Sequence, residues 1–594
     1  MNRLACSPHV SWGERGLGAA SSGPQTFQSF CPDLGPLEHR LAKLAAELTD
    51  ARAPADLLDS LAEEVSSEVG ASHDCDPRLT RWGLTLSLLA DITVAGGEVF
   101  TEGGSVNVRW PDWRSSEGEA GLRRALVRLR DESKPRPPEP EAAAALPTAL
   151  PRQRLLRILQ EADIRLYPAE DTHSPGVTYR AIFNACRQFW SMPQRDREGR
   201  SRQFVLCGTH PTLDAPIPIG ILEAGDGAPV SPARDDLLGF STASFTDWLE
   251  APRGRNARLT QLRDRLRAFR RALLPISGVE SQRLDLLYTR IREIELNATG
   301  RSKSGANLSE KKRLAYLGRF VRGEMAVRHL LQGQDAPTQD LYAIARSFRD
   351  LVLPRVNIEL TICGGLPPFS AGLAGKLVVA HSADREVTEI CRRPPGEIAS
   401  SVFDRTKLAS LLPDTGAVLL TTKGLFPRHS AQYERATVPS RDGVGIHLQK
   451  IGLTQGATAS LLSRRTYVLA MRLLDRENSD RAVSDHFGSG GSKRQRRIEN
   501  AIRDLGLTEQ LVYPRIERPI YAAQLVENPR DVCLAAARPK WRTPRTSRGA
   551  FSAEATQLWR DRWLETASRR IRRDKGSIEG VGDWLQRRSE LKSE

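Results

Sequence analysis

Long apolar runs, paired cysteines and nucleotide-loop signatures are what this 594-residue sequence is short of. No segment approaches the roughly 18 consecutive apolar residues that a membrane-crossing helix needs. The opening "MNRLACSPHVSWGERGLG" has no apolar stretch long enough for a signal-peptide core. The expectation is a cytoplasmic chain with no membrane partner. The eight cysteines (Cys6, Cys31, Cys75, Cys186, Cys207, Cys363, Cys391 and Cys533) lie far apart, with no C-x-x-C pair and no Cys/His cluster at ligand spacing. That spacing indicates neither a zinc module nor a disulfide framework, so no metal site is expected. A P-loop is excluded as well. Gly372, Gly375 and Lys376 give only G-x-x-G-K-L, without the Ser or Thr that would hold magnesium.

What the chain does carry is charge. Its 87 Lys plus Arg exceed 72 Asp plus Glu, for a net +15 and a pI near 9.7. Such a balance favours contact with a polyanion such as DNA, RNA or an acidic surface, the alternative being an arginine-rich proteome. With 40% hydrophobic residues at this length, about two to four folding units are expected.

The pattern divides as follows. Residues 1–35, rich in Gly, Ser and Pro, read as a disordered leader. Residues 36–150 form a helical appendage, with "GGEVFTEGGSVNVRW" alternating like a hairpin, and end in the Pro-rich linker "ESKPRPPEPEAAAALPTALP". Residues 151–249 supply a helix feeding a hairpin, "QFVLCG" and "IPIGILEAG", and so the first part of an α/β core. From 250 to 350 the apolar spacing of three and four in "RNARLTQLRDRLRAFRRALL", "SQRLDLLYTRIREIELNA" and "EKKRLAYLGRFVRGEMAVRHLL" predicts packed helices. Residues 351–455 complete the core, and 456–594 form a basic helical C-terminal region. The fold class expected is mixed α/β.

Five stretches could carry chemistry or binding. "RVNIELTICGGLPPFSAGLAGKLVVAH" is ordered strand, loop, small-residue helix; Gly364, Gly365, Gly372, Gly375 and Lys376 then frame a phosphate or cofactor-binding turn at a helix start. The other reading of the same glycines is close packing of the helix on a sheet. "APVSPARDDLLGF" offers Asp235 as an acid or base, unless Arg234 merely neutralises it, and "LFPRHSAQYERA" offers His429 and Tyr433 as candidate catalytic groups. In "FGSGGSKRQRRIENAIRDLGL", Lys493, Arg494, Arg496 and Arg497 stand where cations oppose a helix dipole. A contact with the phosphates of DNA or RNA explains them, as does a solvated turn. Near the C-terminus, Trp541, Trp559 and Trp563 alternate with arginines, which suits base stacking or a helix docked on the body.

Taken in order, "FWSMPQRDREGRSRQFVLC", "IPIGILEAG", "RDDLLGF", "GLPPFSAGLAGKLVVA", "LLTTKGLFPRHSAQYERA", the basic "FGSGGSKRQRRIENAIRDLGL" and "WRDRWL" resemble the segments of the Druantia anti-phage DruA family. The resemblance covers residues 150 to 570, with 250–350 as an insertion. Phe240 stands where the family usually has tryptophan and Phe369 where it has tyrosine, so no role requiring an indole N–H or a phenol is assigned there. The resemblance implies a component of bacterial antiviral defence working beside other defence proteins, including a helicase-like one, and brings no catalytic residues with it. The layout of the core is similar to that of GNAT acyltransferases, in which the loop after the fourth strand receives a pyrophosphate and a tyrosine after the fifth serves as general acid. That similarity implies acyl-CoA as cofactor under an enzymatic alternative. A third alternative is an inert scaffold that binds a partner protein through the helical insertion.

Overall fold

The computed structural model of the chain describes residues 55–71, 77–102, 105–132, 140–173, 177–190, 201–225, 231–252, 254–274, 305–392, 411–428, 431–454, 461–477, 493–505, 516–544, 553–573 and 576–590. The proposed leader, the helix expected over 281–298 and His429 lie outside them.

The mixed α/β class is borne out. A seven-stranded sheet is built from β1 (Asp163–Pro168), β2 (Ser201–Thr209), β3 (Ile217–Gly225), β4 (Asn357–Gly365), β5 (Leu419–Lys423), β6 (Gln449–Leu453) and β7 (Pro519–Gln524). Its spatial order is β6-β7-β5-β4-β3-β2-β1. β4 and β5 run parallel and every other neighbouring pair runs antiparallel. Apolar runs such as "FVLC" in β2 form strands buried on both sides, because helices cover both faces.

On the first face, Leu206, Leu222, Ile358, Leu360, Leu420 and Ala523 pack under the helices Arg152–Glu161, Ala374–His381, Ala553–Trp559 and Glu565–Arg573. The second face is shared. Val205, Cys207 and Ile221 meet the helix Tyr179–Arg187, while Leu419 and Ala522 meet the insertion. In that insertion the helices Arg255–Leu273, Gly305–Leu331 and Thr338–Val356 pack around Phe269, which stacks on Phe320 at 5.2 Å and meets Phe348 edge-on at 5.8 Å. The last of these helices passes directly into β4, so the insertion is continuous with the strand that leads to the candidate loop.

The chain's two ends contribute differently. Helices Ala55–Ala71 and Pro77–Val94 share an apolar cluster with Arg464–Glu477 and Lys493–Asp504, so the N-terminal appendage and part of the C-terminal region bury one another's surface. The hairpin expected around Gly103 and Gly104 is present as Glu98–Glu102 paired with Ser105–Arg109. The tryptophan-rich tail folds back over the first face. Trp559 is buried there and donates its indole N–H to the Leu373 carbonyl at 3.3 Å.

Candidate functional site

The candidate loop lies where β4 and β5 part. Their pairing extends only from Asn357 to Leu360 on β4, and an extra residue at Thr361 breaks the register with β3. Such a bulge bends a strand and redirects its side chains. Ile358 and Leu360 accordingly face one cluster and Ile362 the other. Beyond the bulge, the β5-side edge of β4 receives a side chain instead of a strand: Gln432 Nε2 donates to the Cys363 carbonyl at 2.8 Å.

Glycine permits the next step. A Cβ on Gly365 would sit 2.6 Å from the Gly375 nitrogen and 2.8 Å from the Ala374 carbonyl carbon, and one on Gly372 would sit 2.3 Å from Leu159 Cδ1. The helix Ala374–His381 therefore presses its first turn directly on the strand end. Gly364 lies in the ladder opposite Ile221, and Gly375 abuts the Gln432 amide, whose Nε2 would be 3.2 Å from an added Cβ.

Positive charge collects beside this turn. Lys376 Nζ lies 3.4 Å from the Trp563 ring centroid, and Arg562 stands 5.4 Å from the same ring. Arg562 Nη2 is 3.4 Å from His447 Nε2. Burial, followed by the charges of Arg435 and then Arg562, pushes the Lys376 ammonium down to about 8. Burial and Arg562 likewise lower His447. Among the described residues, none of Lys376, Arg435 and Arg562 has a carboxylate within ion-pairing distance. A lysine in the first turn also opposes its own helix dipole. Lys376 and Arg562 thus gather on one indole at a helix start, with Arg435 close to Lys376.

The remaining expected residues are dispersed. Tyr433 lies beside this turn, its ring 5.6 Å from Tyr521; burial foremost raises its phenol, with a hydrogen bond to Thr422 acting in the opposite sense. Asp235 belongs to the second face, bound at 2.8 Å by Arg234 and at 2.7 Å by Arg349. Lys493, Arg494, Arg496 and Arg497 open the helix Lys493–Asp504 of the all-helical cluster, where Arg497 Nη1 approaches Met471 Sδ at 3.8 Å. The side chains of Lys493, Arg494 and Arg496 lie outside the described residues. Loop, Lys376 and Tyr433 are thus brought together, and Asp235 and the basic turn are not.

Two groups were not legible in the sequence. Arg562 reaches Lys376, and His447 reaches Arg562, from segments far along the chain, and only the Arg/Trp alternation of the tail hinted at the former. His381 is linked through Nδ1 to Asp384 at 2.8 Å and through Nε2 to Thr556 at 3.1 Å. This carboxylate–imidazole–hydroxyl order resembles a nucleophile relay. However, His381 is fully buried and its two partners nearly so. Its effect is to tie the helix Ala374–His381 to the tail.

The class defined by this fold and site is a mixed α/β protein whose sheet opens at a lone parallel pair, with a cationic cluster at the opening. Comparison with known proteins makes this more particular. Residues 339–534 match the family model described as Druantia protein DruA. Druantia protein DruA of Escherichia coli (strain UMEA 4076-1) is 29% identical over 212 residues, which are 34% of this chain and 45% of that protein. The chain therefore spans under half of the length of that curated relative. No solved structure matches. These findings support a DruA-like family for the chain, as the ordered motifs imply. The matched stretch runs from the helix Thr338–Val356 to just past β7, so it contains Lys376, Tyr433 and Arg435 and ends before Arg562.

Proposed function

We propose that this chain is a component of a bacterial anti-phage defence system of the Druantia kind, acting in the cytoplasm and binding the phosphate backbone of a nucleic acid. The observation that carries the binding reading is that Lys376 and Arg562 gather on Trp563, with Arg435 close enough to depress Lys376 and, among the described residues, no carboxylate within ion-pairing distance of the three. Phosphates would relieve their mutual repulsion, and the indole offers a base a stacking surface. The turn at Lys493, Arg494, Arg496 and Arg497 adds a second basic contact under this reading. Other defence proteins, including a helicase-like one, are its proposed partners.

The test is binding of the full chain to labelled duplex and single-stranded DNA, and to RNA, across a salt series. Two variants serve as controls, K376Q/R435Q/R562Q and K493A/R494A/R496A/R497A. Each phosphate contact contributes about 0.7 to 0.9 to the log–log salt slope, so the first variant should lower it by about 2. Absence of binding, or binding indifferent to salt, would overturn the reading.

The strand order favours one second reading. An antiparallel β1 to β4, a parallel β4/β5 pair and a Tyr433 that follows β5 support the similarity to GNAT acyltransferases as that second reading. The cationic cluster suits a cofactor pyrophosphate. An extended acyl-carrying arm, which would bind by adding to the free edge of β4, does not fit while Gln432 caps Cys363, and no step is derived through it. Calorimetry with acyl-CoA separates the readings. Saturable heat that disappears in K376Q favours the enzyme.

A further inference from the structure

At the opposite end of the sheet lies a cleft of about 770 Å³. It is placed there by topology, since Asp414 precedes β5 and Glu527 follows the antiparallel β7, whereas Lys376 follows the carboxyl end of β4. Arg441, Arg538, Lys540, Trp541, Asp414 and Glu527 line it. All five charged residues are exposed, and among the described residues none of them lies within ion-pairing distance of an opposite charge.

The frame that presents them is stiff. The Asn528 side chain clamps the segment twice, accepting from the Lys540 N–H at 2.8 Å and donating to the Arg538 carbonyl at 3.1 Å. Glu527 N donates to the Lys540 carbonyl at 2.9 Å, Arg542 N to Leu525 at 2.9 Å, and Arg441 N to the Arg542 carbonyl at 2.8 Å. Trp541 is bridged to Val526 and packs against the apolar clusters of both sheet faces. The backbone that carries Arg441, Glu527, Arg538, Lys540 and Trp541 is thus cross-linked, and the signs of the charges around the cleft decide the ligand class. A bare polyanion would be repelled by two of the five charges. A cationic ligand would be repelled by three.

We infer that this cleft binds a nucleotide unit, with its phosphate on Arg441, Arg538 and Lys540, its base against Trp541, and an exocyclic amino group of that base donating to Asp414 or Glu527. Carboxylates accept from base amino groups, guanidinium and ammonium groups hold phosphate, and an aromatic face carries the ring. Free nucleotides and single strands both present this chemistry. The cleft is separate from the Lys376 cluster, and neither depends on the other.

The experiment uses the full chain in a K376Q/R435Q/R562Q background, so that failure of the cleft is distinguishable from failure of the function proposed above. Labelled oligo-dC and oligo-dT strands are titrated by anisotropy, with CMP as competitor. Oligo-dC should bind several-fold more tightly than oligo-dT, because thymine lacks an exocyclic amino group. D414A/E527A, which removes the acceptor oxygens, should erase that preference, and R441Q/R538Q/K540Q should weaken both strands at least tenfold with an unchanged melting temperature. Displacement by CMP would identify a free nucleotide as the ligand and resistance to it a single strand; either supports the cleft. Unaltered affinity in R441Q/R538Q/K540Q, or a base preference that D414A/E527A leaves intact, would overturn the inference.

Discussion

Burial without a partner and burial with one separate the charged residues of this protein. Glu324 is fully buried and accepts from Arg267 at 3.1 Å and Arg270 at 2.8 Å inside the insertion. Removing one member of such a group strands the others, so E324Q should cost about 3–5 kcal/mol, read by denaturant unfolding of the full chain. Lys376 is the contrary case. Its native state releases the proton near 8, whereas the unfolded chain holds it to 10.5. The unfolded state therefore binds more protons between those values, and the penalty, fully present below about 8, is relieved as pH rises through the window. Melting of wild type and K376Q across that range should show the wild type gaining relative to the variant. A bound anion raises the lysine again, so polyanion affinity at this cluster should fall from pH 7 to pH 9, with K376Q flattening the profile.

At the scale of elements, the decisive contact is the helix Ala374–His381 on the end of β4. Because a Cβ on Gly365 would meet backbone atoms of Ala374 and Gly375, no side chain can give way. G365A should therefore cost about 1–3 kcal/mol, measured by thermal melting, and should move the Lys376 cluster with it. The sequence showed the strand, the breaker-rich loop and the small-residue helix in their order, because local periodicity and turn chemistry write those directly into the chain. It left open whether the glycines served an anion or close packing. The structure places Gly365 and Gly372 in packing; attraction of an anion falls, under the function proposed above, to Lys376 and the two arginines.

For the whole molecule, the tail is the lid of the core. Trp559, Leu564 and Ile571 are buried over the first face, and Arg560 donates to the Leu159 and Ala162 carbonyls at 3.2 and 2.6 Å. W559A should cost about 3–5 kcal/mol, and because Trp559 lies on the helix before Trp563 it should also weaken anion binding at Lys376. Retention of both stability and binding in that variant would refute the coupling. The basic turn at Lys493 belongs to another apolar cluster, so its variants should leave the melting of the sheet unchanged.

Sequence by itself determined the mixed α/β class, the order of the DruA-like motifs and the loop from which Lys376 projects. These are properties of neighbours along a chain, set by periodicity, breakers and charge. Tertiary structure alone decided the company each residue keeps. Arg562 comes beside Lys376 and His447 beside Arg562, Arg349 neutralises Asp235, and Arg441 and Lys540 line one cleft, each bringing together segments tens to hundreds of residues apart. Such contacts arise only when burying apolar surface brings distant elements together, and no local pattern records which distant element that will be.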